Sequence, residues 1–302
     1  MPQPPATLAP LAVAGAGLLW ASAGLIGDGL PLPPVVLAEV RLAGSALALA
    51  ILIGPRRLLR CLTPLPWSGL LLAALGMGLF QWSFFASVKV GGASFATWVT
   101  VVSGPLWVAL LAGKGLPWTG TLLGALGIAL LMNGAAIPPE ALAWSLPTGL
   151  AYALYAEATG RAARGDASGA AGGLAVTAVA LAGGALGLLP LLPGQIDALP
   201  ALPWPVAWFG QLVFLGVGST ALAYALFAWG LGHLSAERAL SLQWVQPVAT
   251  ELLCAALTPA YQVNPLYLAG AGVLALSMLT RSIAAEPPGS SGLTPSPPRP
   301  SP

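Results

Sequence analysis

Gln243, Gln246, Thr250 and Glu251 interrupt a mostly apolar run, 239–257, where any polar side chain is expensive. Gln243, Gln246 and Thr250 fall at i, i+3 and i+7, which is one face of a helix. Two amides and a hydroxyl on one face can donate to and accept from a polar or zwitterionic solute. They can equally serve as hydrogen-bonding glue between helices. Thr97, Thr100 and Ser103 make a second polar stripe, with Trp107 one turn further on. Hydroxyls there either meet a solute or bond back to their own helix. Pro105 and Pro247 lie inside the same two runs, and each denies a hydrogen bond to the carbonyl four residues earlier, Val101 and Gln243 respectively. A carbonyl freed in this way faces a cavity or is satisfied by a neighbour at a packed kink.

Charged groups within apolar runs are few, and each has two readings. Glu251 is a carboxylate about six residues, or about 9 Å, from its helix end. It serves either to carry a coupling proton or to pair with Arg41 or Lys89. Glu39 and Arg41, two residues apart, point to different faces and do not pair with each other. Arg41 either reaches back to the interface or meets a solute carboxylate. Glu157 and Arg161 have the i, i+4 spacing of a helix salt bridge. Tyr152 and Tyr155 share a face, and with Trp20, Trp82, Tyr224, Trp229 and Trp244 they either line a cavity or pack. His233 is the only histidine, and no CxxC, HExxH or carboxylate cluster accompanies it, so neither a metal site nor a cofactor is expected.

The elements that must position these residues are membrane helices. Among 302 residues, 57% are hydrophobic and 7% charged, against about 25% charged in a soluble domain. A net charge of +2 suggests no nucleic-acid partner. Cys61 and Cys254 lie far apart in or beside apolar runs and form no disulfide framework. No basic residue precedes the first apolar run, so a cleavable signal peptide is not expected. A bilayer core needs about 20 apolar residues per helix. That ruler gives ten spans: 8–27, 35–53, 67–88, 92–112, 117–134, 145–163, 169–192, 206–230, 235–257 and 263–283. Residues 1–7 are a short leading tail, and the proline- and serine-rich stretch 286–302 is a disordered tail.

Arg56, Arg57, Arg60, Lys114, Arg161, Arg164, Arg238, Arg281 and Arg299 fall on one side of such an arrangement, with Lys89 opposite. The positive-inside rule then puts both termini in the cytoplasm. Aligning Pro105 with Pro247 lays VGGASFATWVTVVSGPLWVALL (90–111) over GHLSAERALSLQWVQPVATELL (232–253). LGALGIAL (123–130) likewise matches LAGAGVLA (268–275). Five spans per half is an odd number, so 8–134 and 145–283 would be inserted upside down relative to each other. Inverted repeats recur in secondary transporters, with the solute site between the halves.

STALAYALFAWGLGHLSAERALSLQWVQPV (219–248), its counterpart from Gly91 to Pro105, and GLAYALYAEATGRAAR (149–164) resemble the EamA family of the drug/metabolite transporter superfamily. The resemblance spans about 8–283 and implies ten helices in two halves. It also implies carriage of small metabolites such as amino acids, amines or drugs by alternating access. One departure stands out. Where family members close the fourth and ninth helices with a Leu-Gly-Glu step, this chain reads LAGKGLP (111–117) and LTPAYQVNP (257–265), without a carboxylate. The expectation is therefore a multi-pass secondary transporter, an exporter by preference, in a cell inner or plasma membrane. Its partners would be a small solute, the lipid bilayer, and protons or another coupling ion. No Walker A sequence is present, so ATP hydrolysis is not expected. A membrane-embedded enzyme and a non-transporting assembly subunit are the alternatives. Oligomeric state is not legible in the sequence.

Overall fold

Prolines and glycines punctuate the chain into helices from end to end. The computed structural model describes residues 6–62, 66–113, 118–164, 169–197, 199–258 and 264–284. The expected tail at 286–302, residues 1–5, Lys114 and most of the LTPAYQVNP turn lie outside the described residues. The helices are α1 (Ala9–Gly29), α2 (Pro34–Ile53), the short α3 (Pro55–Leu62), α4 (Trp67–Gly91), α5 (Ala93–Leu111) and α6 (Trp118–Ala135). They continue with α7 (Pro139–Arg164), α8 (Gly169–Leu188), the single turn α9 (Pro193–Ile196) and α10 (Val206–Val213). A π-helical stretch, Phe214–Leu222, joins α10 to α11 (Ala223–Leu231). Last come α12 (Ala236–Ser241), α13 (Val245–Leu257) and α14 (Pro265–Ala284). No strand occurs among the described residues.

Among the described residues, seven helices are long and apolar enough to cross a membrane. They include the continuous run from Val206 to Leu231 through the π-helical stretch. The other three expected spans are helical as well. In α7 the apolar run is diluted by Ser145, Pro147, Thr148, Glu157 and Thr159. The ninth is broken by a 3-10 turn at Leu242–Trp244, one turn ahead of Pro247. Pro247 cannot donate to Gln243, and α13 restarts with the proline in its first turn, where a missing N–H costs least. Pro105, by contrast, sits inside an unbroken α5. The tenth is α14, apolar over Pro265–Met278.

The surface of the bundle is aliphatic and its interior holds polar groups. Leu11, Leu18, Leu47, Ile51, Leu71, Leu75, Leu122, Val213 and Leu252 are exposed. Ser45, Gln81, Ser83, Ser87, Thr100, Ser145, Thr148 and Gln243 are buried. A soluble protein would not leave so extensive an apolar surface uncovered. Helices approach closely where glycines face each other, as at Gly78 of α4 against Gly184 of α8 and Gly44 of α2 against Gly216. Gly120 of α6 sits under Ser277 of α14, whose hydroxyl donates to its carbonyl at 2.6 Å, and Gly183 of α8 lies against Ala74 of α4. Between α4 and α7 runs a hydroxyl seam: Thr148 Oγ1 donates to Ser83 Oγ at 2.7 Å, and Ser87 meets Ser145 at 2.5 Å.

Packing partners follow a regular scheme. Helix α1 packs on α11, the π-helical stretch and α13, while α7 packs on α4 and α5. Helix α2 packs on the π-helical stretch, and α8 on α4. The pairs α2–α8, α5–α13, α6–α14 and α7–α8 also pack closely.

Candidate functional site

A buried guanidinium marks the centre of the bundle. Arg41 lies seven residues into α2, about 10 Å along the helix. It is only 2% exposed, so it neither sits at an entrance nor reaches back to the interface. Its Nε donates to Thr220 Oγ1 at 2.6 Å, its Nη1 to Gln81 Oε1 at 2.9 Å and its Nη2 to the Ser219 carbonyl at 3.5 Å. The ring of Phe85 lies 5.8 Å away under the guanidinium carbon. Every one of these partners is neutral. The π-helical stretch explains the Thr220 contact, because its wider turn lets the Thr220 hydroxyl bond the Leu215 carbonyl five residues back and still accept from Arg41. Gln81 in turn donates to the Tyr224 hydroxyl at 3.3 Å.

Arg41 lines a small closed cavity with Trp20, Phe80, Phe84, Thr100, Val101, Tyr152 and Gln246. Its volume is about 10 Å³, room for about one water. Trp20 packs edge-on to Tyr152 at 5.9 Å, and Phe80 stacks on Tyr152 at 5.1 Å. Three polar atoms of this lining have no hydrogen-bond partner although they are buried: Trp20 Nε1, Thr100 Oγ1 and Tyr152 Oη. Buried polar groups are nearly always bonded, so three such atoms around one cavity need an explanation.

Two wider clefts lie beyond it, at opposite ends of α5. One, about 290 Å³, is lined by Asp28, Ser94, Phe95, Cys254, Asn264 and Tyr267. The other, about 510 Å³, is lined by Pro66, Leu70, Leu111, Leu154, Glu157 and Arg161. Thr100 and Val101 lie between them, about 9 Å along α5 from Ser94 and about 16 Å from Leu111.

The residues singled out in the sequence divide between the cavity and the helix contacts. Thr100, Tyr152, Gln246 and Arg41 come together at the cavity, and so does Val101, whose carbonyl Pro105 leaves unbonded within the helix. Gln243 instead donates its Nε2 to the Val13 carbonyl of α1 at 2.8 Å, with Gly17 against its Oε1. Thr250 donates to the Ala21 and Gln246 carbonyls at 3.2 and 3.0 Å. Thr97 bonds back to Ala93, and Ser103 to the Thr100 carbonyl. Tyr155 bonds the Thr177 hydroxyl at 2.8 Å. Trp244 packs with the Phe95, Trp98 and Tyr267 cluster, away from the cavity. Glu39 is half-buried with one carboxylate oxygen unbonded.

Glu251 accepts from Ser94, and the hydroxyl of Tyr267 donates to Ser94 at 2.9 Å. Arg41 is turned to Thr220 and Gln81, and Lys89 to the backbone carbonyls of Asp28 and Leu30. The Glu157–Arg161 salt bridge is present at 3.5 Å. Gln81, Ser219 and Thr220, which hold the guanidinium, were not among the expected site residues. The signal for Gln81 was there: an amide inside LFQWSFF (79–85) is as anomalous as those at Gln243 and Gln246.

Fold and surface together define an all-helical, multi-pass membrane protein. No family model matches the chain. Over 254 residues it is 26% identical to the uncharacterized transporter YwfM of Bacillus subtilis (strain 168), covering 79% of this chain and 81% of that protein. A crystal structure of a protein 21% identical to this chain superposes with a TM-score of 0.65, over 92% of this chain and 96% of that one, which speaks to the fold alone.

Proposed function

We propose that the protein is a secondary transporter of the EamA kind, moving small organic solutes across a plasma or inner membrane by alternating access. Its ten spans form two inverted halves, 8–134 and 145–283, with both ends in the cytoplasm. The observation that carries this reading is the line of cavities along α5: a closed polar cavity between two clefts at opposite ends of one helix. A carrier needs a central site from which either exit can be opened in turn.

The packing scheme supports the two halves. Exchanging α1, α2, α4, α5 and α6 for α7, α8, the 206–231 helix, α12–α13 and α14 turns most of the larger contacts into one another, the α7–α8 contact being the main one without a counterpart. The pair α1–α11 becomes α7–α4, α1–α13 becomes α7–α5, and α2 with the π-helical stretch becomes α8–α4. The pairs α2–α8, α5–α13 and α6–α14 map onto themselves, as they must on a two-fold axis. The cavity draws Trp20, Arg41, Phe80, Phe84 and Thr100 from one half, and Tyr152 and Gln246 from the other. A relative motion of the halves therefore opens it.

The test is flux. Purified protein is reconstituted into sealed liposomes loaded with a mixed metabolite extract, and the released solutes are identified by mass spectrometry. Protein-dependent release of a defined solute, lost in Arg41→Gln, is expected. No release of any solute by folded protein contradicts the proposal and leaves the enzyme and assembly-subunit readings.

A further inference from the structure

We infer that the solute is an organic anion, a carboxylate carried on a compact, flat apolar body, and that Arg41 is the residue that reads its charge. The inference rests on the transport reading and narrows it.

The charge balance of the cavity is the argument. Arg41 is a permanent cation, and burying one costs several kcal/mol even after relaxation. Such charges are normally paired with a carboxylate. Here the guanidinium has only a hydroxyl, an amide oxygen and a backbone carbonyl, and no acidic residue lines the cavity. The Gln81 amide and the Thr220 hydroxyl hold it in place without neutralising it.

The unbonded side-chain atoms around it can all donate, and the one acceptor left free by the helix is the Val101 carbonyl. Trp20 Nε1 can only donate, and the Thr100 and Tyr152 hydroxyls have protons with no acceptor. Trp20, Thr100 and Tyr152 are 4%, 3% and 3% exposed, so bulk water does not satisfy them. Unbonded donors on the residues that line the cavity, beside an uncompensated cation, suit an oxyanion. They suit an ammonium group poorly, since its protons would find no carboxylate and would face Arg41. The remaining lining, Trp20, Phe80, Phe84 and Tyr152, is aromatic, which suits a flat apolar body. Because the cavity holds about one water, that body enters as the rings separate.

The test uses three probes of one shape: 3-phenylpropionate, its neutral amide and 3-phenylpropylamine. Each is titrated against the purified full-length protein in detergent by calorimetry. The anion is expected to bind about 10- to 100-fold more tightly than the amide, the range of a charged hydrogen bond, and the amine more weakly still. Arg41→Gln should erase the preference of anion over amide. Tyr152→Phe, which keeps the ring, should weaken the anion about three- to tenfold and leave the amide within about twofold; this variant serves if Arg41→Gln does not fold. Equal or tighter binding of the amide or amine overturns the inference, as does folded wild-type protein that binds no anion at 10 mM. Liposome release separates the two proposals: if a neutral or cationic solute is carried, transport stands and the anion class falls; if nothing is carried, the transport reading falls.

Discussion

Gln81→Glu is the sharpest perturbation available, because it moves a single charge into contact with Arg41 and changes no volume. The Gln81 oxygen already lies 2.9 Å from Arg41 Nη1, so the introduced carboxylate forms an ion pair in place. With charge centres about 4 Å apart and an effective dielectric of about 20, their attraction is about 4 kcal/mol. Dehydrating the new carboxylate costs several kcal/mol, so the two effects nearly cancel and folding stability changes little. An incoming anion sees something different. It meets a neutralised guanidinium and, about 6 Å away, a like charge that repels it by about 3 kcal/mol. Affinity for 3-phenylpropionate should therefore fall by more than about 100-fold. Calorimetric titration measures that loss, and a heat-unfolding midpoint within a few degrees of wild type shows the fold intact. A folded Gln81→Glu variant that binds the anion as wild type does would refute the electrostatic reasoning.

Other substitutions separate packing from function. Gly184→Ala places a methyl 2.9 Å from the Gly78 backbone nitrogen, which cannot swing aside, so unfolding should become easier by about 1–3 kcal/mol. Gly187→Ala on the same helix meets nothing within 4 Å and should leave the heat-unfolding midpoint level or higher. Thr250→Val removes the bond to the Ala21 carbonyl and should lower stability by about 0.6–1 kcal/mol while leaving anion affinity unchanged. Glu157→Gln breaks a pair whose arginine is 78% exposed, and the unfolding midpoint should not move measurably.

Much of the fold was legible because hydropathy and helix-breaking residues act locally. The run read as 35–53 is α2 from Pro34 to Ile53, and 92–112 is α5 from Ala93 to Leu111. Proline marked the place of the break before Pro247, although Pro105, lacking the same N–H, leaves α5 continuous. The site was legible only in part. Gln243 and Gln246 look alike in sequence and stand three residues apart, yet one is bonded to the α1 backbone and the other lines the cavity. A donor pattern does not say whether its partner is a helix or a solute. The role of Arg41 depended on Gln81, 40 residues away, and on Thr220, 179 residues away, contacts that no local pattern encodes. The π-helical stretch that aims Thr220 at it has no periodic signature either, since its composition is that of any apolar helix.

Alternating access requires a central cavity that opens to each side of the membrane in turn. The direct measurement places a thiol there, as Thr100→Cys with Cys61→Ser and Cys254→Ser, and treats sealed right-side-out and inside-out vesicles with a membrane-impermeant thiol reagent. Labelling from both sides, slowed by 3-phenylpropionate, is the predicted result. Labelling from one side only, or from neither, would contradict it.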